Sequence, residues 1–327
     1  MPMATVDTEV IENAVQLACR APSLHNSQPW RWQYRQGRLH LFLDAGRVMN
    51  SDQSARQALI SCGALLDHFR VAITAAGWQA TINRFPATEN PNLLASLSFT
   101  RTDHVSDVAR RRADAILLRR TDRLPLMAPT DWELLAPALH RAVEGGDVRL
   151  EAMPDTLHQQ LVDASELANS LRLTNTAYFS ELSWWTAPFE ASEGIPYPAL
   201  VSTTEAQRTG IGRQFPAIGH DERRREVPQD HAKVLVLCTP HYGPADALSS
   251  GEALSQILLE CTMLGLATCP VTHLTELAAG RELIQALLTR DAMPQALVRV
   301  GVAPALDAPP PPTPRRPLGE VLEVCST

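Results

Sequence analysis

The apolar positions of this chain follow two alternating rhythms. Residues 7 to 20, DTEVIENAVQLACR, place Val10, Ile11, Ala14, Leu17 and Ala18 on one helical face, and Pro22 ends the helix. Trp30 to Tyr34 and RLHLFLD (38 to 44) predict the two strands of a hairpin that turns at Gln36 and Gly37. A long helix is predicted over 54 to 76, with Leu59, Leu65, Leu66, Phe69 and Ile73 on its apolar side and Gly77 as its stop. The strands WQATINRF and LLASLSFT follow, and the run on to Ala109 is polar and helix-breaking. In the second half KVLVLCT (233 to 239) is apolar throughout, which predicts a strand buried on both faces. SGEALSQILLECTMLG predicts a helix stopping at Gly265, and LATCPV and ALVRVGVA (296 to 303) predict two more strands.

Strand, loop, long helix, glycine, strand thus occurs twice, over 39 to 83 and over 234 to 271. That order predicts two related halves around a pseudo-twofold axis, in an α+β fold with mixed sheets. Two segments fall outside the plan. Residues 186 to 230 are rich in Pro, Gly and charge, with Phe189, Tyr197 and Phe215 spaced through them, and a loop of that length is either disordered or a working lid. PPPPTPRRPL (309 to 318) predicts a stiff strap that delivers Arg315 and Arg316 to a fixed place.

Composition narrows the class. With 327 residues, 45% hydrophobic and 20% charged, the chain can bury a sizeable core as a soluble globular protein. Its first residues lack the positive charge and apolar run of a signal peptide, and no stretch has the unbroken apolar length of a membrane helix, so a cytoplasmic location is expected. The six cysteines form no C-x-x-C pair, which fits buried free thiols and not a metal site. A net charge of −7 argues against nucleic acid as a partner. Lys233 is the only lysine, so the position of the arginines carries the information. LLRRTDRLPL (117 to 126) gathers Arg119, Arg120 and Arg123 around Thr121, straight after the helical VARRRADAILL. Guanidinium forks, a hydroxyl and backbone amides near a helix end suit a phosphate monoester, although a bare basic run is more often a solvated helix face.

Four blocks resemble the FMN-dependent nitroreductases. APSLHNSQPW (21 to 30) matches that family's A-P-S-x-x-N-x-Q-P-W segment, and RRTDR is similar to its R-R-S-x-R flavin segment. GEALSQILLECTMLGLATCPVTHL resembles the family's long helix, turn and following strand, and TPRRPLGEVL its C-terminal strap. The blocks span nearly the whole chain. In the ordinary family the R-R-S-x-R block comes first and a homodimer builds two flavin sites; here the order is reversed and the blocks lie about a hundred residues apart. The arrangement resembles the Acg-type branch, in which one chain mimics the dimer.

The resemblance implies halves 1–110 and 111–327, a lid insertion near 186–230, a strap at 309–327, and one FMN held between the halves, with the monomer sufficient to build the site. It implies flavin contacts from Ser23, Asn26 and Gln28, ribityl and phosphate contacts from Arg119, Arg120 and Thr121, and Arg123 near the pyrimidine end. Arg315 and Arg316 would close on the phosphate, while Thr272 and His273 would offer backbone groups near flavin N5. As bare residues Ser23 and Asn26 fit a turn, and His273 fits a core histidine as well as a flavin contact. His25 could donate a proton to a substrate or be inert, and Trp184 and Trp185 fit a pocket wall or the core. No side chain is needed as a catalytic acid or base, since the flavin supplies the chemistry. The expected function is an oxidoreductase carrying electrons from NAD(P)H to a nitroaromatic or quinone. The alternative is an FMN-sequestering protein whose lid occludes the flavin.

Overall fold

The structure is a computed structural model and describes residues 6–87, 89–187, 192–216 and 222–325; Phe189 lies outside them. Helix α1 (Thr8–Ala18) leads into the hairpin of β1 (Trp30–Arg35) and β2 (Arg38–Leu43), then α2 (Arg56–Ala75), β3 (Trp78–Arg84), β4 (Leu93–Arg101) and α3 (Asp107–Leu118). The second half runs through α4 (Trp132–Ala142), β5 (Arg149–Ala152), α5 (His158–Leu173), α6 (Thr176–Trp185) and α7 (Thr203–Thr209). It continues with β6 (Lys233–Thr239), α8 (Pro244–Met263), β7 (Ala267–Val271), α9 (His273–Glu276), α10 (Ala278–Leu287), β8 (Met293–Gly301), α11 (Leu318–Val321) and β9 (Leu322–Val324).

Two sheets result, ordered β3-β4-β2-β1-β9 and β5-β6-β8-β7. The hairpin turns where expected, with Gln36 and Gly37 both at positive φ (50° and 72°), as a two-residue turn matching strand twist requires. Each half contributes its long helix to the centre. α2 and α8 pack against one another, and a single apolar core of Trp30, Trp32, Phe69, Leu258, Val298 and their neighbours runs through both halves. Gly77 and Gly265 follow the two helices in the same way, each donating its N–H to a threonine carbonyl three residues back (Thr74 and Thr262). α2 is long and apolar enough to cross a membrane, but it lies buried in this core.

Several boundaries differ from the sequence expectation, each for a local reason. α3 starts inside the stretch read as helix-breaking, because the Ser106 side chain accepts the Ala109 N–H and caps it. α8 starts at Pro244, earlier than its apolar pattern, because the Asp246 carboxylate accepts the Gly243 N–H. The segment 186–230 is more than loop: Ser202 and Glu205 form a capping box that starts α7. The C-terminal strap returns to the first half, where β9 adds to the edge of β1 in parallel. Of the six cysteines, all free, five are buried and Cys325 is half-buried.

Candidate functional site

The decapeptide APSLHNSQPW makes an unusual turn between α1 and β1. His25, Asn26 and Gln28 all have positive φ (50°, 59° and 51°), a region that asparagine and histidine enter more readily than most side chains and glutamine seldom does. Strain of this kind persists only where the surroundings over-determine it. Here Ser23 Oγ accepts the Gln28 N–H at 3.1 Å, the Leu24 N–H donates to Ser61 Oγ of α2 at 3.2 Å, and Cys62 Sγ lies 3.2 Å from the Pro29 carbonyl.

The turn's amides reach outward. Asn26 Nδ2 donates to the carbonyls of Gly194 (3.0 Å) and Pro314 (3.1 Å), so one side chain joins two segments far apart in sequence. Gln28, fully buried, donates to the Ser192 carbonyl at 2.9 Å and accepts the Arg316 N–H at 3.0 Å.

Beside this turn lies a cavity of about 690 Å³, within the usual range of ligand sites. Ser23 and His25 line it from the first half, Ile60 of α2 and Leu254 of α8 from the central helices, and the strand end at Cys269 to His273 from the second half. Residues of α7 line it as well, together with Phe215, whose ring meets His25 edge-on at 6.1 Å and lies under the Arg123 guanidinium at 5.6 Å. Ion pairs surround this part of the chain. Arg299 and Asp230 form a buried ion pair (2.6 Å), Arg224 pairs with Asp122 (2.8 Å), and Arg223 with Glu205 (2.9 Å). Arg213 pairs with Glu276 and with the Tyr178 hydroxyl. Burial alone would raise the Glu276 carboxyl, but the Arg213 and Arg172 charges bring it down to about 2.

Next to the cavity, and sharing Ser23, Thr121 and Arg123 with it, is a niche lined also by Arg20, Arg119, Arg120, Arg315 and Asn26. Among the described residues no carboxylate lines it. Burial and the neighbouring Arg120 and Arg20 push the Arg119 guanidinium down to about 10; burial with Arg119 and Arg20 pushes Arg315 down to about 9. Arg119 keeps two buried nitrogens, Nε and Nη1, without a partner. Unpaired buried donors are costly, and several converging on one spot fit a multiply charged oxyanion.

The expected residues therefore separate. Ser23, Thr121 and Arg123 line both the cavity and the niche; Asn26, Arg119, Arg120 and Arg315 line the niche alone, Thr272 and His273 the cavity alone, and Gln28 and Arg316 neither. Arg315 directs its Nε, Nη1 and Nη2 at the backbone carbonyls of Cys19, Arg20, Ala21, Thr313 and Pro314, so its charge reaches the niche while its hydrogen bonds do not. Arg316 reaches the carbonyls of Gln28 and Trp30 and the carboxylate of Glu320. Thr272 Oγ1 is engaged with Glu276. His273 Nε2 lies 2.9 Å from Ser165 Oγ, and burial holds the imidazole neutral with a pKa near about 3. Trp184 is exposed and Trp185 buried; they stack edge-on against each other and line neither cavity.

The structure thus defines an α+β protein with a ligand-sized cavity lined from both halves. No family model matches the chain. A Mycobacterium tuberculosis protein named "Putative NAD(P)H nitroreductase acg" is 53% identical over 325 residues, 99% of this chain and 98% of its own length. A second M. tuberculosis protein with a nitroreductase name is 34% identical over 327 residues, covering 97% of this chain and 92% of its own. Among solved structures, the FMN-dependent nitroreductase NfnB from Mycobacterium smegmatis in complex with NADPH matches with a TM-score of 0.40 at 16% identity, over 65% of this chain and 97% of its own. The chain belongs to the Acg-type branch of the nitroreductase superfamily.

Proposed function

We propose that this chain is an FMN-dependent oxidoreductase that takes reducing equivalents from NAD(P)H and delivers them to a small nitroaromatic or quinone. The observation that carries the reading is the arginine niche, with the partnerless Nε and Nη1 of Arg119, next to a cavity large enough for an aromatic ring system. The residues fit FMN: the niche suits its phosphate and the apolar stretch between Ile60 and Leu254 suits a flat ring. When bound, the flavin supplies the hydride chemistry.

The protein's own work is binding and positioning. Arg119, Arg120 and Arg123 would hold the phosphate end, with Thr121 and Ser23 at the junction of niche and cavity. Asn26 from the niche wall and Gln28 from behind it would keep lid and strap in place over the ligand. His273, neutral and held by Ser165, offers a hydrogen bond without adding charge. The lid excludes water, which strengthens each of these interactions. One chain supplies every group named, so a monomer would be sufficient, and a cytoplasmic setting with nicotinamide at hand would suit the reaction.

The test is the visible spectrum of the purified protein under argon, before and after NADPH and then NADH. A flavin spectrum that bleaches with either nucleotide is expected. A flavin spectrum that neither nucleotide changes, though dithionite bleaches it, would overturn the reading.

A further inference from the structure

Arg20 ends the segment that carries α1, one residue before the APSLHNSQPW turn, and nothing in its local pattern marks it as a ligand. The structure places it on the wall of the arginine niche, with its Nε buried and without a hydrogen-bond partner. Its backbone is equally involved: the Arg20 carbonyl accepts from Arg119 Nη2 at 3.2 Å and from Arg315 Nη2 at 3.0 Å. Backbone and side chain of one residue thus organise two cations and add a third.

The assembly is unfavourable as it stands. Burial lowers the Arg20 guanidinium, and so does the charge of Arg120. Arg119 and Arg315 are depressed by burial and by Arg20 in turn. With no carboxylate among the described lining residues, the missing counter-charge has to come from a ligand. The niche, about 50 Å³, has room for one tetrahedral oxyanion.

We propose that Arg20 is a phosphate ligand that joins Arg119 in holding a phosphate monoester, and that the niche takes inorganic phosphate by itself. The second part rests on the niche alone, and the first deepens the flavin reading by assigning a residue to the phosphate end. A ligand lacking the phosphate should be indifferent to Arg20, because Arg20 lines the niche and not the larger cavity.

The experiment uses the full chain stripped of flavin, comparing the native protein with Arg20→Met and Arg20→Lys. Thermal unfolding is followed with inorganic phosphate and with chloride at matched ionic strength, and affinities for FMN and riboflavin are measured by quenching of flavin fluorescence. Phosphate should raise the midpoint of the native protein above that in chloride, and Arg20→Met should lose most of the rise. The methionine variant should bind FMN about tenfold more weakly with riboflavin affinity unchanged, and Arg20→Lys should recover part of the loss. Equal weakening of FMN and riboflavin would mean a structural role and overturn the assignment. An unchanged FMN affinity in both folded variants would overturn it too. Failure of the flavin reading is a separate result: a native protein that binds neither flavin, yet is stabilised by phosphate through Arg20, would leave the niche assigned.

Discussion

Gly63 and Gly251 face one another where the two central helices cross. Each is the eighth residue of a twenty-residue helix, and their surroundings mirror each other. A Cβ built on Gly63 would lie 2.9 Å from Gly251 Cα and on top of the Leu248 carbonyl oxygen; one built on Gly251 would lie 2.8 Å from Gly63 Cα and on top of the Ile60 carbonyl oxygen. Ile60 and Leu248 each precede their own glycine by three residues. The pseudo-twofold axis passes between these glycines, so the internal repeat is a relation in space as well as in order.

The close crossing sets the spacing of the whole site, because Ile60 and Leu254 line the cavity from the two helices. Gly63→Ala or Gly251→Ala must push backbone from backbone, which no rotamer change relieves. Either should cost about 3 kcal/mol of stability or more, seen as a lower denaturation midpoint. An alanine variant with the native midpoint would show that the helices do not approach this closely.

Asp230, just before β6, is fixed by charge. Asp230 accepts from Arg299 Nε (2.9 Å) and Nη2 (2.6 Å) and from the Leu126 N–H (2.7 Å), with both ionic side chains 1% exposed. Asp230→Asn leaves a buried guanidinium without its counter-charge and should destabilise by about 3–5 kcal/mol. The paired change Arg299→Met with Asp230→Leu should cost less than the single one, because no lone charge remains. Urea denaturation of the three proteins checks the order; a double variant less stable than Asp230→Asn would contradict it.

Much of this architecture was legible in letters. The period of the apolar residues places α1, α2 and α8, and the turn residues Gln36 and Gly37 place the hairpin. The arginine block at 119–123 does come together with the 21–30 turn, although a hundred residues separate them. Arg20 is not legible in the letters, because one arginine at a helix end has no pattern of its own and its place on the niche wall exists only once α1, α3 and the strap meet. Gly63 and Gly251 look like ordinary helix-interior glycines until the two helices are aligned as repeats. The Ser202 to Glu205 capping box was readable in the 186–230 stretch and would have placed α7 there. The bonds of Arg315 to carbonyls were not readable, since a guanidinium serves carbonyl or phosphate equally well.

Arg119 and Arg315 make opposite contributions to the protein without ligand. Arg119 has two nitrogens idle, whereas Arg315 spends its donors on carbonyls that include those left open at the end of α1. Arg119→Ala should abolish flavin retention during purification while leaving the midpoint of the flavin-free chain equal or higher. Arg315→Ala should lower that midpoint, at a cost of about 2 kcal/mol of stability or more. Calorimetry of both flavin-free variants decides; a midpoint that falls with Arg119→Ala and holds with Arg315→Ala would reverse the assignment.

Three buried histidines predict an early loss of stability in acid. Burial lowers His25 and His68 well below the ordinary 6.5, and takes His273 to about 3. His68 shows why. Ser255 Oγ gives its proton to Asp67 Oδ2 at 2.5 Å, so His68 Nδ1 must donate to Ser255 at 2.7 Å, and Nε2 is left a buried lone pair without a partner. Protonating Nε2 would add a cation close to the field of Arg119 and Arg315, which already disfavour it. The sign follows from linkage: between 6.5 and the depressed folded values the unfolded chain binds protons that the folded chain refuses. Stability is therefore full above 6.5 and declines as the pH falls, by about 1.4 kcal/mol per pH unit for each such histidine once the unfolded form is protonated. Denaturation midpoints measured from pH 8 down to pH 5 should begin to fall near 6.5, above the range where carboxylates titrate. His68→Gln removes one of the three groups and should flatten that slope by about a third. A midpoint constant down to pH 5 would mean that these imidazoles accept protons in the folded state.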